Sequence, residues 1–345
     1  MKILNISYSI PSLRVSNQDL LQEVLDRSRK HLSFSELKKL EKRIKTFFRM
    51  SGTDIRYHRN VGERAWDFAF SAGEKALDAA GVDAKEIDLL IYAGVGRGWI
   101  EPATANLFQH ELGLVKATCF DVMDACASWI RSLSIAQSFL DQSAYRMVMI
   151  LNCEFSFREY ARMEIKELDD LQNSFSAYTI GEAATATILT NDRDQKNCCF
   201  SFRTWGEKHG LCKIPLPNVA DFTPENGHRS ITPMSFFTSP AELFTFTISK
   251  LIGHFRETPP IAEKNHDLII GHAVSGFATD RVARKLGLDP DRVFETHPRF
   301  GNTVSASLPL GLAVAEKEGR LKRGMQVLLL MGSAGVTTGL GSVEY

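Results

Sequence analysis

The chain has 345 residues, 44% apolar and 24% charged, with Lys plus Arg equal to Asp plus Glu at 41 each. These are values of a globular protein of two domains or one large duplicated one, and they set aside disordered, collagen-like and coiled-coil chains. Zero net charge lacks the basic excess of a nucleic-acid binder, and no apolar run approaches the ~20 residues of a membrane span.

The start, Met1-Lys2-Ile3-Leu4-Asn5-Ile6, carries no apolar leader with a small-residue cleavage site, so a cytoplasmic protein is expected. Residues 1–15 predict a strand and a turn. Ser16 then has the character of a helix cap, with Leu20, Leu21, Val24 and Leu25 on one face. Residues 35–49 repeat the helical spacing through Leu37, Leu40, Ile44 and Phe47 or Phe48. The Ala-rich stretch 66–80 predicts a helix closed by Gly81. A buried strand at 87–93, a short helix at 106–112 and a strand at 117–122 follow. A nearly all-apolar helix at 127–140 and a strand at 146–152 complete the pattern. Strands alternating with helices predict βαβ units and parallel pairing.

The second half repeats this order. Asp88 and Asp267 head similar apolar strands 179 positions apart, and Val148 and Val327 are separated by the same 179. Between them come a predicted strand at 293–296, a loop and an apolar helix at 305–316. A shared offset with a shared element order predicts an internal duplication, with halves at 1–190 and 191–345. The polar, Pro- and Cys-containing stretch 192–221 has little periodicity and is expected to be a long excursion between them.

The six cysteines, at 119, 126, 153, 198, 199 and 212, form no C-x-x-C and no zinc-ligand spacing. No metal site is expected, and most of these cysteines are expected to be small buried hydrophobes. Cys126 differs. It lies in Met123-Asp124-Ala125-Cys126-Ala127-Ser128, between a strand and the apolar helix, where the positive helix end favours a thiolate. His272 follows the strand ending at Gly271, and Asn302 follows Gly301 in a third strand-end loop. In open α/β sheets the chemistry sits in such loops. Together the three residues supply a nucleophile, an imidazole and a neutral amide donor.

These residues carry a resemblance. The chain resembles a thiolase-fold condensing enzyme of the β-ketoacyl-acyl-carrier-protein synthase III type. The likeness runs through Glu101-Pro102-Ala103-Thr104-Ala105, residues 121–128, Thr179-Ile180-Gly181-Glu182-Ala183-Ala184, Gly271-His272, Gly301-Asn302-Thr303 and Gly332-Ser333-Ala334-Gly335. It implies an α/β protein with a five-layered α/β/α/β/α fold made of two duplicated βαβ halves, acting as a homodimer. It also implies a ketosynthase without a resident cofactor, working on phosphopantetheine thioesters of coenzyme A or acyl carrier protein. Cys126 takes an acyl group, His272 and Asn302 hold the second thioester, and the N–H groups of Cys126 and Gly335 form an oxyanion hole.

Two departures from that type bear on substrate. Glu101, in Trp99-Ile100-Glu101-Pro102, resembles the base of head-to-head acyl-condensing and alkylpyrone- or resorcinol-forming synthases, where it reaches across the dimer. An unactivated acyl thioester must lose an α-proton, which a malonyl thioester need not. Ala273-Val274-Ser275 replaces the Gln-Ala-Asn that helps seat a carrier protein in the fatty-acid pathway. Arg56, Arg59, Arg158 and Trp99 are candidates for substrate contacts. Acyl transfer to an O or N acceptor, and a structural subunit of a heterodimeric ketosynthase, remain alternatives. The Gly94-Val95-Gly96-Arg97-Gly98 turn does not match a dinucleotide loop.

Overall fold

The computed structural model describes residues 1–155, 157–191, 198–223 and 232–345, leaving out the side chains of 157 and 158. The strands are β1 (Lys2–Ser9), β2 (Leu13–Ser16), β3 (Ile55–His58), β4 (Leu89–Ala93), β5 (Thr118–Val122), β6 (Met147–Glu154) and β7 (Ala183–Thr190). They continue with β8 (Cys199–Thr204), β9 (Cys212–Lys213), β10 (Phe237–Thr238), β11 (Leu268–Gly271), β12 (Gln326–Ser333) and β13 (Thr337–Glu344). The longer helices are α1 (Asn17–Ser28), α2 (Phe34–Ser51), α3 (Ala65–Ala80), α4 (Thr104–Glu111), α5 (Ser128–Asp141), α6 (Pro240–Arg256), α7 (Ala278–Leu286) and α8 (Ser307–Lys317).

Local chemistry sets the helix ends. Ser16 and Asp19 exchange hydrogen bonds at the start of α1, and Ser33 and Glu36 do the same for α2. Gly52 and Gly81 close α2 and α3 with φ of 67° and 63°, a conformation that costs glycine little.

One sheet runs β1-β7-β6-β4-β5 and the other β11-β12-β13-β8. Within the first, β4 pairs parallel with β5 and β6, and β6-β7-β1 are antiparallel. The second repeats this plan, with β11 and β12 parallel and β12-β13-β8 antiparallel. The register repeats too: Leu89 faces Val148, and Leu268 faces Val327. Asp88 accepts from the backbone N–H of Met147 and Asp267 from that of Gln326, so the two similar strand starts do the same job.

Strand alternation builds the layers. Leu89, Ile91 and Ala93 face inward onto α5 and α8, while Leu90 and Tyr92 face α3 and α4. Leu268 and Ile270 also face the central helices, and Ile269 faces α6 and α7. The five layers are therefore α3/α4, sheet, α5/α8, sheet, α6/α7. α8 is buried nearly all round, in keeping with its apolar sequence, whereas α5 buries Trp129, Ile130, Leu133, Ala136 and Leu140 and leaves Ser138 and Asp141 exposed, so the expected nearly all-apolar helix holds only for its inner faces.

The structure revises several expectations. Residues 1–15 hold two strands rather than one. The stretch 293–296 makes only an isolated bridge, Ile269 to Val293, at the place where β5 pairs with β4 in the other half. The stretch 192–221 is not simply an excursion, because its β8 supplies the edge strand of the second sheet. Its aromatic and β-branched content is short and flanked by polar residues, so periodicity conceals it. Residues 192–197 lie outside the described residues. Among the described residues no helix is long and apolar enough to cross a membrane.

Candidate active site

The loops before α5 and α8 match residue for residue at the 179 offset. Ala125 and Val304 both have positive φ, 45° and 52°, which is strained for residues with a Cβ. Ser128 Oγ–H donates to Ala125 O at 2.7 Å, and Ser307 Oγ–H donates to Val304 O at 2.8 Å. Cys126 in the first loop therefore corresponds to Ser305 in the second.

Ser333, at the end of β12, fixes the Cys126 loop. Its hydroxyl donates to Asp124 O at 3.1 Å and accepts from Ala127 N–H at 3.2 Å. Gly335 follows two residues later, with φ of 121°. Cys126 is half-buried, and burial pushes its thiol well above the ordinary value, with Cys212, Glu154 and Asp124 adding to the effect. The expected thiolate is thus corrected. Cys126 precedes the first helical residue by two positions, and nearby carboxylates oppose the helix end. All six cysteines are free; Cys153 is buried as expected, while Cys119, Cys198, Cys199 and Cys212, expected to be buried, are half-buried and pack against the core.

His272 follows β11. Its Nδ1 lies 3.1 Å from Ser307 Oγ, and its Nε2 is buried without a partner. Burial first, and His297 second, push its pKa down to about 3, so the ring is neutral. Asn302 Oδ1 accepts from Val304 N–H at 2.9 Å, which leaves Nδ2 as its free donor. The backbone of Asn302 is held on both sides, by Thr179 O at 2.8 Å and Gly181 N–H at 3.0 Å. Val304 thus ties the group together. Its carbonyl anchors the serine beside His272, its N–H orients Asn302, and Cys126 packs against its apolar cluster.

Sequence reasoning missed Glu154, buried at the end of β6. Its carboxylate accepts from Val95 N–H at 3.1 Å, Gly96 N–H at 3.0 Å and the Ser305 hydroxyl. Burial raises its pKa to about 7 despite these bonds. A lone Glu ending an apolar strand was the available signal.

Glu101 is exposed and lies with exposed Trp99 and Ile100 on the loop after β4, where Trp99 Nε1–H donates to Pro102 O at 2.8 Å. In the single chain it makes no recorded hydrogen bond to Cys126, His272 or Asn302. Arg56 cannot form part of a surface patch. It is fully buried, bonded to Asn17 Oδ1 at 2.7 Å and stacked near Phe48. Arg59 is engaged by Glu182, Glu159 and Phe155 O and serves the packing of that loop. The side chain of Arg158 lies outside the described residues.

The basic surface lies elsewhere. A cavity of about 1050 Å³ opens between α2 and the loops that follow His272 and precede Asn302. Lys38, Lys42, Lys45 and Arg49 line one side together with Glu41, which pairs with Lys45 at 2.6 Å, and Gly276, Phe277 and Pro298 the other, with Asp54 also on the lining. Cys126, His272 and Asn302 do not line it; it is a mouth beside their loops rather than the reacting centre.

Two family profiles match the chain and together cover about half of it: 3-oxoacyl-[acyl-carrier-protein] synthase III over residues 120–206, and its C-terminal part over 258–345. The chain is 29% identical over 301 residues to the β-ketoacyl-[acyl-carrier-protein] synthase III of Bradyrhizobium diazoefficiens, covering 86% of this chain and 88% of that one. With the synthase III of Clostridium acetobutylicum the match is 23% over 343 residues, covering 98% and 97%. Among solved structures, 3-oxoacyl-[acyl-carrier-protein] synthase III from Aquifex aeolicus superposes with a TM-score of 0.80 at 23% identity, covering 100% of this chain and 99% of that one. OleA from Xanthomonas campestris, solved with lauric acid and lauroyl-CoA, superposes at 0.83 and 20% identity, covering 99% and 98%. At these identities the structural likeness speaks for the fold.

Proposed function

Given that this chain belongs to the synthase III-like condensing enzymes of the thiolase fold, we propose that it joins two thioesters in two steps through an acyl group carried on Cys126. In the first step a bond forms from Cys126 Sγ to the acyl carbon as the donor's C–S bond breaks. The proton of the Cys126 thiol leaves with the departing thiol. The N–H groups of Cys126 and Gly335 are the oxyanion donors, where fixed dipoles are worth several kcal/mol. In the second step the α-carbon of another thioester becomes a carbanion, by loss of a proton or of CO₂. It attacks the acyl carbon, the C–S bond to Cys126 breaks with the electron pair going to sulfur, the thiolate takes up the proton removed from the α-carbon (or one from solvent after CO₂ loss), and a β-keto product leaves.

The observation that carries this reading is the joining of His272 and Asn302 through Val304, with His272 Nε2 buried and unpartnered and Asn302 Nδ2 left as a donor. Such groups are costly to bury unless a substrate completes them. Glu101 is the base for a non-malonyl acceptor, delivered to the site of a second subunit in a homodimer, a role that suits its exposed loop. The donor is a coenzyme A or carrier-protein thioester whose phosphates meet Lys38, Lys42, Lys45 and Arg49 at the mouth. We place the enzyme in the cytoplasm.

Intact mass measurement after mixing with acyl-coenzyme A tests step one. An adduct is expected in the native chain and none in Cys126→Ala; an adduct surviving that change overturns the assignment. Products formed with malonyl, β-ketoacyl or second acyl thioesters identify the acceptor. Glu101→Ala is expected to abolish condensation with non-malonyl acceptors and spare acylation.

A further inference from the structure

His297 is fully buried at the start of the one-turn helix His297–Phe300, and each of its polar atoms has a partner. Its backbone N–H donates to Glu295 Oε1 at 3.0 Å, and its carbonyl accepts from Gly301 N–H at 2.9 Å. Ring Nδ1 lies 2.7 Å from Ala273 O, and Nε2 lies 2.6 Å from Thr53 Oγ1. A carbonyl oxygen can only accept, so Nδ1 carries the hydrogen. Burial pushes the pKa of the ring down to about 4, which leaves Nε2 to accept from the Thr53 hydroxyl.

These contacts join three segments. Ala273 directly follows His272, whose own N–H donates to Leu330 O at 2.8 Å. The ring therefore fixes the peptide on the other side of His272. Gly301 directly precedes Asn302. Thr53 follows α2, and two backbone bonds run beside it, Gly276 N–H to Ser51 O at 2.7 Å and Asp54 N–H to Pro298 O at 3.1 Å. Gly52, Asp54, Gly276 and Pro298 line the mouth.

We infer that His297 is a positioning residue that sets the spacing between the His272 loop and the Asn302 turn, and that it ties both to the mouth through Thr53. Without the ring, Ala273 O and the Thr53 hydroxyl are buried with a partner missing, and the two loops can part. Condensation uses His272 and Asn302 on one thioester, so small shifts between them count. The Cys126 loop is held separately by Ser333 on β12, so acylation does not depend on this bridge.

Only the kinetic arm of the test rests on the condensing-enzyme reading. Thr53→Val keeps the shape and removes the hydroxyl, Thr53→Ser keeps the hydroxyl, and His297→Phe keeps a ring and loses both its bonds. In single turnovers, Thr53→Val is expected to lower condensation about tenfold and His297→Phe about 10²-fold, with acylation of Cys126 within about threefold of native. Thr53→Ser is expected to restore condensation. Equal loss of both steps, undiminished condensation in Thr53→Val, or a Thr53→Ser chain no better than Thr53→Val overturns the inference. The second arm needs no turnover. In chains labelled with ¹⁵N at histidine and asparagine, the amide signals of His272 and Asn302 are expected to move in Thr53→Val and to return in Thr53→Ser. Unmoved signals overturn the inference whatever the enzyme does. If His297→Phe does not fold, the Thr53 pair decides. If the amides move as expected but the native chain joins no thioester pair, the bridge stands and the proposed function fails.

Discussion

Gly181→Ala separates the two halves of the proposed reaction. Gly181 faces the Asn302 turn, and a Cβ placed on it lies 1.9 Å from the carbonyl oxygen of Phe300. That oxygen is backbone and cannot rotate aside. The turn must retreat by about 1.5 Å before ordinary contact is restored. Two hydrogen bonds are at stake, Gly181 N–H to Asn302 O at 3.0 Å and Asn302 N–H to Thr179 O at 2.8 Å. At about 1 kcal/mol each, plus about 1–3 kcal/mol for overpacking, a loss of roughly 3–5 kcal/mol is expected. Denaturant midpoints measure it. A displacement of Asn302 by about 1.5 Å is expected to cost at least about 10²-fold in condensation. Acylation of Cys126, followed by mass in a single turnover, is expected to stay within about threefold, because Asn302 serves only the second step. Equal loss of both steps in a folded variant refutes the division of labour, and undiminished condensation refutes the steric argument.

Acid is expected to unfold the protein. His254, His266, His272 and His297 are held by burial at about 4, 4, 3 and 4, below the usual 6.5. Below pH 6.5 the unfolded chain binds protons the folded chain refuses, so each contributes a stability loss of about 1.4 kcal/mol per pH unit until its folded value is reached. Glu154 and Glu295, raised by burial to about 7, act oppositely between about pH 7 and 4.5, but the histidines outnumber them. Stability rising from pH 6.5 to 5 in chemical denaturation contradicts this sign. At the mouth, Lys42→Glu combined with Arg49→Glu is expected to raise KM for acyl-coenzyme A about tenfold at low salt with little change in kcat. The difference should shrink as ionic strength grows. A KM that ignores both charge and salt places the phosphates elsewhere.

The architecture was legible because its signals are local or repeated. Apolar strands, Ser caps, C-terminal glycines and a constant offset can be read from one chain, and Cys126, His272 and Asn302 stand in loops that this pattern marks. The missing parts depend on contacts between distant residues. Arg56 has the composition of a surface patch, yet it folds beneath Asn17 and Phe48. The acidity of Cys126 was misjudged because the helix end is visible in sequence, whereas the burial that raises the thiol, and after it the approach of Cys212 and Glu154, come from the folded chain. Glu154 and Ser307 have ordinary neighbours in the sequence. They acquire significance only when the end of β6 meets the start of α8 and when β11 delivers His272 above that helix. The basic residues of α2 carried no signal in the sequence, since nothing near them indicates that the loop after His272 lies across the cavity they line.

The equivalence of the Cys126 and Ser305 loops has one more consequence. Both share the same turn, the same left-handed residue and the same serine lock, so backbone shape by itself does not make a reactive position. What differs is company. Ser305 gives its hydroxyl to Glu154, which in turn holds the loop after β4, whereas among the described residues Cys126 has no such tether. The protein thus contains its own control: two copies of one turn, one moored and one at liberty. Transplanting a cysteine into the moored copy would supply the shape of the site without its freedom, and reactivity there would measure how much of nucleophilicity the turn alone confers.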